Sequence, residues 1–134
     1  QVVDMLPMVD YLTVHTPLTE DTRHLIGHQE LALLRTGVRL INCARGGIYD
    51  ESALLAGLES GQIAGVALDV RATEPPALGD AIIASGKTVL TPHIAAFTHE
   101  AQERVVESVC RDTAAVLRGG SAKGYFNFPE PKRK

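Results

Sequence analysis

Short apolar runs alternate with stretches of helical spacing along this chain. Tyr11-Leu12-Thr13-Val14, Arg39-Leu40-Ile41-Asn42-Cys43, Ile63 to Val70 and Thr88-Val89-Leu90-Thr91 are rich in β-branched or aliphatic residues and bounded by turn formers, the pattern of strands. Ile63 to Val70 is almost wholly apolar, which predicts a parallel strand covered on both faces. Val2 to Met8 has the spacing of one or two helical turns, weakened by Pro7. Gln29 to Leu34 predicts a short helix closed by Gly37. Asp50 is a good N-cap for a helix to about Ser60, where Gly61 stops it. Ala81 to Ser85 is at most one turn. Thr98 caps a long helix to about Arg118, whose Val105, Val106, Val109, Ala114, Val116 and Leu117 follow a helical stripe. Tyr125 to Phe128 predicts a last strand before a solvated tail, Pro129 to Lys134. Strands alternating with helices predict an α/β fold with a parallel sheet.

Composition narrows the class. With 134 residues there is room for one domain, and 45% apolar with 22% charged residues is ordinary for a globular protein. A net charge of −3 gives no electrostatic case for nucleic acid or an anionic membrane, and three Phe, three Tyr and no Trp argue against a base-stacking platform. No apolar run approaches the ~18–20 residues that span a bilayer. Cys43 and Cys110 have no paired spacing and read as reduced thiols, which places the protein in the cytoplasm. The chain opens at Gln1, inside an element within a few residues, and is expected to be a piece of a longer protein.

The candidate chemistry lies just past the strands. Asn42-Cys43-Ala44-Arg45-Gly46-Gly47 puts an arginine after the second strand, in a turn read as loosened by two glycines. Leu68-Asp69-Val70 leads into Ala72-Thr73-Glu74-Pro75-Pro76, and Val89-Leu90-Thr91 into Pro92-His93-Ile94. Ligands of open α/β sheets bind at the carboxyl ends of strands. An anion holder, an acid and a titratable base at one such edge make a plausible active site. His24 and His28 stand four apart, but without a third ligand nearby they read as surface histidines, and no metal is expected. Lys132-Arg133-Lys134 is too short a basic run for a nucleic-acid site.

Val14-His15-Thr16-Pro17-Leu18, Asn42 to Gly47, Ala67-Leu68-Asp69-Val70, Glu74-Pro75-Pro76 and Thr91-Pro92-His93-Ile94 stand in the order seen in D-isomer-specific 2-hydroxyacid dehydrogenases, which the chain resembles from Val2 to about Asn127. The resemblance implies a partial Rossmann-like sheet, the second half of a doubly wound nucleotide-binding domain. It implies a division into residues 1–118, part of an NAD-binding domain, and 119–134, a segment returning toward a substrate domain. The glycine-rich turn that holds the pyrophosphate in the family, and the acid that follows it, do not occur here.

The implied activity is hydride transfer between NAD(H) and a small 2-hydroxy/2-oxo acid such as 3-phosphoglycerate. Arg45 would hold the acid's carboxylate in a fork of hydrogen bonds. His93 would move the C2 hydroxyl proton, a task suited to an imidazole, which titrates at about 6.5 when unperturbed. Glu74 would orient His93. Thr16, Cys43, Ala44, Arg45, Asp69, His93 and Ala96 match cofactor-lining positions, with Asp69 at the nicotinamide carboxamide. The family likeness also implies a homodimer through the nucleotide-binding domain, and the isolated chain is expected to be inactive. Two other readings stay open: a non-catalytic association module built on an unpaired sheet edge, and a dinucleotide-sensing regulator.

Overall fold

The computed structural model describes residues 2–124. The chain divides into two compact units, residues 1–95 and 96–134. The first holds a four-stranded parallel sheet in the order β1-β2-β3-β4, with β1 Tyr11–Val14, β2 Val38–Asn42, β3 Ile63–Leu68 and β4 Thr88–Leu90. Strands that are neighbours in sequence are neighbours in the sheet, so each connection has to cross back over it. Helices α1 (Val2–Met5), α2 (His28–Leu33), α3 (Glu51–Ser60) and α4 (Ala81–Ala84) complete the unit, with a 3₁₀ turn, Leu6–Met8, after α1. Asp50 caps α3 by accepting from Ser52 N and Ala53 N, and Gly61 ends the helix at φ 79°.

Register aligns the core in rows. Leu12, Leu40 and Val66 are partners across β1, β2 and β3, and Val14, Asn42, Leu68 and Leu90 form the next row. The aliphatic members of both rows except Leu90 join Ile26, Leu31, Leu54, Leu58 and Ile63 in one buried cluster, and the half-buried Leu90 packs against it. Tyr49 is also buried, and its hydroxyl donates to Leu12 O at 3.1 Å and Ile41 O at 3.3 Å, tying β1 to β2. Burial pushes its pKa well above the ordinary phenol value.

The opposite face carries Tyr11 and Arg39 in one row and Thr13, Ile41, Ala67 and Val89 in the next. Tyr11, Arg39 and Val89 are exposed there. The expectation that β3 is covered on both faces is therefore corrected. Its outer positions are Ala64, Gly65 and Ala67, which read as apolar but carry almost no side chain to bury. Ladder pairing of β2, β3 and β4 also stops short of Cys43, Val70 and Thr91, because the chain turns at each of those points.

The second unit contains α5, His99–Leu117. Thr98 caps it by accepting from Ala101 N at 3.1 Å. The helix ends at Gly119 (φ 83°), and Gly120 N donates to Ala115 O at 2.8 Å. Asp112 then accepts from Lys123 N at 3.1 Å and Gly124 N at 2.7 Å, which folds the following segment onto the helix. Val105, Val106, Val109 and Leu117 are exposed. Among the described residues no helix is long and apolar enough to cross a membrane. The strand expected at 125–128 and the tail after it lie outside the described residues.

Candidate active site

The loops after β2, β3 and β4 meet at the carboxyl end of the sheet, and hydrogen bonds between them fix how they meet. Asn42 ends β2 with a buried side chain. Its Nδ2 donates to Arg45 O at 2.8 Å and its Oδ1 accepts from Ala44 N at 2.9 Å, so one amide closes the whole Cys43–Arg45 turn. Asn42 O accepts from Asp69 N at 2.9 Å, joining this turn to the next loop. Arg45 is exposed, and its Nη1 donates to Ala44 O at 2.7 Å.

Gly46 does the opposite of loosening the turn. A Cβ there would lie 1.8 Å from Arg71 O and 2.2 Å from Arg71 C. Only glycine permits the backbone of the β2 turn to press this closely on the segment that leads to Glu74. Gly47, at φ 84°, supplies the left-handed residue of the turn.

Past β3, Asp69 is buried and anchors the loop after β4. Its Oδ1 accepts from the Thr91 hydroxyl at 2.5 Å and from Ile94 N at 2.8 Å, and its Oδ2 accepts from Ala95 N at 2.9 Å. Burial works to raise the Asp69 pKa, but the Thr91, Ala95 and Ile94 bonds more than offset it and hold the carboxyl below its ordinary value. Asp69 O also accepts from His93 N at 2.8 Å. These bonds hold His93 at φ 56°, a left-handed backbone that a non-glycine residue keeps only when its surroundings dictate it.

The consequence is contact between Glu74 and His93. Glu74 Oε2 lies 2.8 Å from His93 Nδ1, and Glu74 Oε1 accepts from Arg71 N at 2.8 Å. The Arg71 N–H, then His93, hold the Glu74 carboxyl below its usual range, so it is ionised at neutral pH. An ionised carboxylate only accepts, so His93 Nδ1 carries the proton and Nε2 is left as the exchangeable atom. A mostly apolar cavity of about 400 Å³ adjoins the pair, lined by both residues and by Leu68, Pro75, Ile83 and Leu90.

The remaining candidates are placed as follows. Arg45, Cys43 and Ala44 sit on the β2 turn at the same sheet edge, outside the lining of that cavity. Thr16 follows β1, and its Oγ1 is buried with no hydrogen-bond partner among the described residues. That orphaned hydroxyl fits a ligand contact at this edge. Asp69 has three of its roughly four lone-pair sites in use. Ala96 begins the second unit, where its carbonyl accepts from Gln102 Nε2 at 3.2 Å. Among the described residues no group of three or more His, Cys, Asp or Glu is placed to hold a metal ion.

Three residues at this edge escaped the sequence reading. Arg71 is buried, and its guanidinium donates to both carboxylate oxygens of Glu51 at 3.0 Å and to Asp80 Oδ2 at 2.9 Å. Glu51 and Asp80 stand at the N-termini of α3 and α4, where acids are common for reasons of capping alone. A cation directly after the buried run Leu68-Asp69-Val70 was the available signal, since a buried arginine demands carboxylate partners.

Known proteins share this arrangement of sequence and fold. The family described as D-isomer specific 2-hydroxyacid dehydrogenase, NAD binding domain, matches residues 1–95. The chain is 43% identical over 126 residues to the D-3-phosphoglycerate dehydrogenase of Bacillus subtilis (strain 168), covering 94% of this chain and 24% of that protein. A D-lactate dehydrogenase from Treponema pallidum superposes with a TM-score of 0.86 at 33% identity, over 96% of this chain and 43% of the other. The D-lactate dehydrogenase from Aquifex aeolicus, solved with NAD and lactic acid, gives a TM-score of 0.78 at 30% identity, over 88% of this chain and 40% of the other. The chain spans about a quarter of the length of the curated relative. Strand order, the linked loops and the agreement over most of this chain lead to one assignment: the chain belongs to the NAD-binding-domain family of the D-isomer specific 2-hydroxyacid dehydrogenases.

Proposed function

We propose that the full-length protein containing this chain transfers a hydride between NAD(H) and C2 of a small D-2-hydroxy acid, with 3-phosphoglycerate the substrate favoured by the sequence likeness. The observation that carries the reading is the 2.8 Å contact between Glu74 and His93 Nδ1. When bound, the nicotinamide ring supplies the hydride acceptor or donor. His93 Nε2 takes the hydroxyl proton in oxidation and returns it in reduction. Glu74 fixes the ring's orientation and tautomer and stabilises the imidazolium formed as the proton arrives. Arg45 holds the substrate carboxylate through its planar fork once its Nη1 leaves Ala44 O. Thr16 Oγ1 and the remaining lone pair of Asp69 serve as polar contacts for the cofactor, beside Cys43 and Ala44.

Residues 1–118 act in this reading as part of the NAD-binding domain, and 119–134 return the chain toward the substrate-binding part. The free, exposed Cys43 and Cys110 suit the reducing cytoplasm. The full-length protein works as a homodimer, as the family likeness suggests. The test is His93→Ala in the full-length protein. Loss of kcat by roughly 10²–10⁴-fold is expected. A kcat within a factor of about three of the parent's would remove His93 from the chemistry.

A second reading concerns the chain alone. β1 is an edge strand of this sheet, and an unpaired edge invites association. Sedimentation of the 134-residue chain should then show concentration-dependent self-association, whereas a monomer at all concentrations would dismiss that reading.

A further inference from the structure

The Glu74–His93 pair does not stand alone. Glu74 Oε1 is held by the main-chain N–H of Arg71 at 2.8 Å, and Arg71 is immobilised from three directions. Its Nε and Nη2 each donate at 3.0 Å to the two oxygens of Glu51, the first residue of α3. Nη2 also donates at 2.9 Å to Asp80, the N-cap of α4. The Gly46 backbone presses on the Arg71 carbonyl from the β2 turn. Glu51 Oε1 further accepts from Ala72 N at 2.8 Å, so the peptide on each side of Arg71 Cα is held. The Arg71 side chain is 7% exposed, which removes much of the screening that makes surface ion pairs weak.

We infer that Arg71 is a positioning residue: clamped by Glu51 and Asp80, it sets where its own N–H holds Glu74, and through Glu74 it sets the orientation of His93. This rests on the reading of Glu74 and His93 as the acid–base pair. A buried arginine with two carboxylates has a simpler role in joining α3, α4 and the β3 loop. What takes it beyond that role is the direct bond from its main chain to the carboxylate that touches the imidazole. The guanidinium fork matters here more than the charge. A lysine ammonium in its place keeps the positive charge but cannot bond both Glu51 oxygens and Asp80 in the same plane.

Arg71→Lys therefore separates position from charge. The readout is the titration of His93, followed by the Cε1–H resonance of the full-length protein labelled with ¹³C at histidine, without cofactor or turnover. The charged groups facing His93 from the neighbouring loops, Glu74 and Asp69, are unaltered in this variant. Loosening Glu74 weakens its hold on the imidazolium, so His93 should titrate about half a pH unit lower in Arg71→Lys. The change should vanish when Arg71→Lys is made in a Glu74→Gln background, because the route runs through Glu74. A folded Arg71→Lys protein with unmoved His93 titration would overturn the inference, as would an equal shift in the Glu74→Gln background.

Should Arg71→Lys fail to fold, Asp80→Asn decides by the same two readouts, since asparagine still caps α4 while its charge is gone. If Glu74→Gln alone leaves the His93 titration unmoved, the acid–base reading falls together with this inference. If Glu74→Gln moves it and Arg71→Lys does not, only this inference falls.

Discussion

The loops after β3 and β4 and the turn after β2 share one rim of the sheet, yet they are finished to different degrees. On the β3–β4 side nearly every polar group is committed. Asp69 takes three donors, Glu74 takes two, and His93 is held in a left-handed conformation by its own amide. On the β2 side the backbone is just as firmly closed by Asn42, but the Arg45 side chain is exposed and, among the described residues, bonded only to the carbonyl of its own neighbour, Ala44. In the proposed reaction, the half assigned to proton transfer is preorganised, whereas the half assigned to the substrate carboxylate has a fixed base and a free arm. That division suits a reaction in which proton transfer needs an exact angle and carboxylate capture needs reach.

The contrast can be broken most severely at Gly46, the contact between the two sides. Gly46→Ala puts a Cβ against the Arg71 carbonyl, where no rotamer change relieves it. A stability loss of about 2–4 kcal/mol is expected in thermal or denaturant unfolding. An unchanged midpoint would mean that the two loops separate easily and that the rim is not one unit.

Arg45→Ala tests the free arm. In the full-length protein kcat/KM should fall by roughly 10²-fold with substrate, while stability stays within about 0.5 kcal/mol because the side chain is exposed. A large stability loss with unaltered kinetics would make Arg45 structural and reverse the assignment.

Asp69→Asn probes the other side more gently. The amide keeps one acceptor but turns a donor toward N–H groups, which should cost about 1–2 kcal/mol and lower kcat with little change in substrate KM. The same site gives a pH dependence. The Asp69 and Glu74 pKa values are depressed in the folded protein, so their contribution is present above the unfolded carboxylate values and is lost as pH falls through the folded ones. In Asp69→Asn, the part of the acid destabilisation belonging to Asp69 should be missing.

Much of the fold was legible because each strand is a compact aliphatic run and the two longest helices carry their own start and stop signals, as Asp50 and Gly61 do around α3. The overreading of β3 came from counting Ala64, Gly65 and Ala67 as buried simply because they are apolar. At the rim, Glu74 and His93 were legible as residue types following strands, but their contact was not. It depends on Asp69 drawing the β4 loop inward, its carboxylate at Thr91, Ile94 and Ala95 and its main-chain oxygen at His93. The Arg71 clamp was hidden for a related reason. Its partners are 20 and 9 positions away, at helix starts where an acid already has a local explanation. Gly46 shows the limit of composition: a glycine pair suggests slack, and only the neighbouring Arg71 carbonyl reveals that this one permits a tight fit.

The central claim, that Glu74 tunes His93 for proton transfer, is tested most directly by the pH dependence of kcat/KM for hydroxy-acid oxidation in the full-length protein and its Glu74→Gln variant. Oxidation needs an unprotonated imidazole, and removing the carboxylate makes the imidazolium less favourable. The account predicts that the acid limb of the variant's profile moves to lower pH while the maximum falls. An acid limb that stays where it is in the parent protein would contradict it.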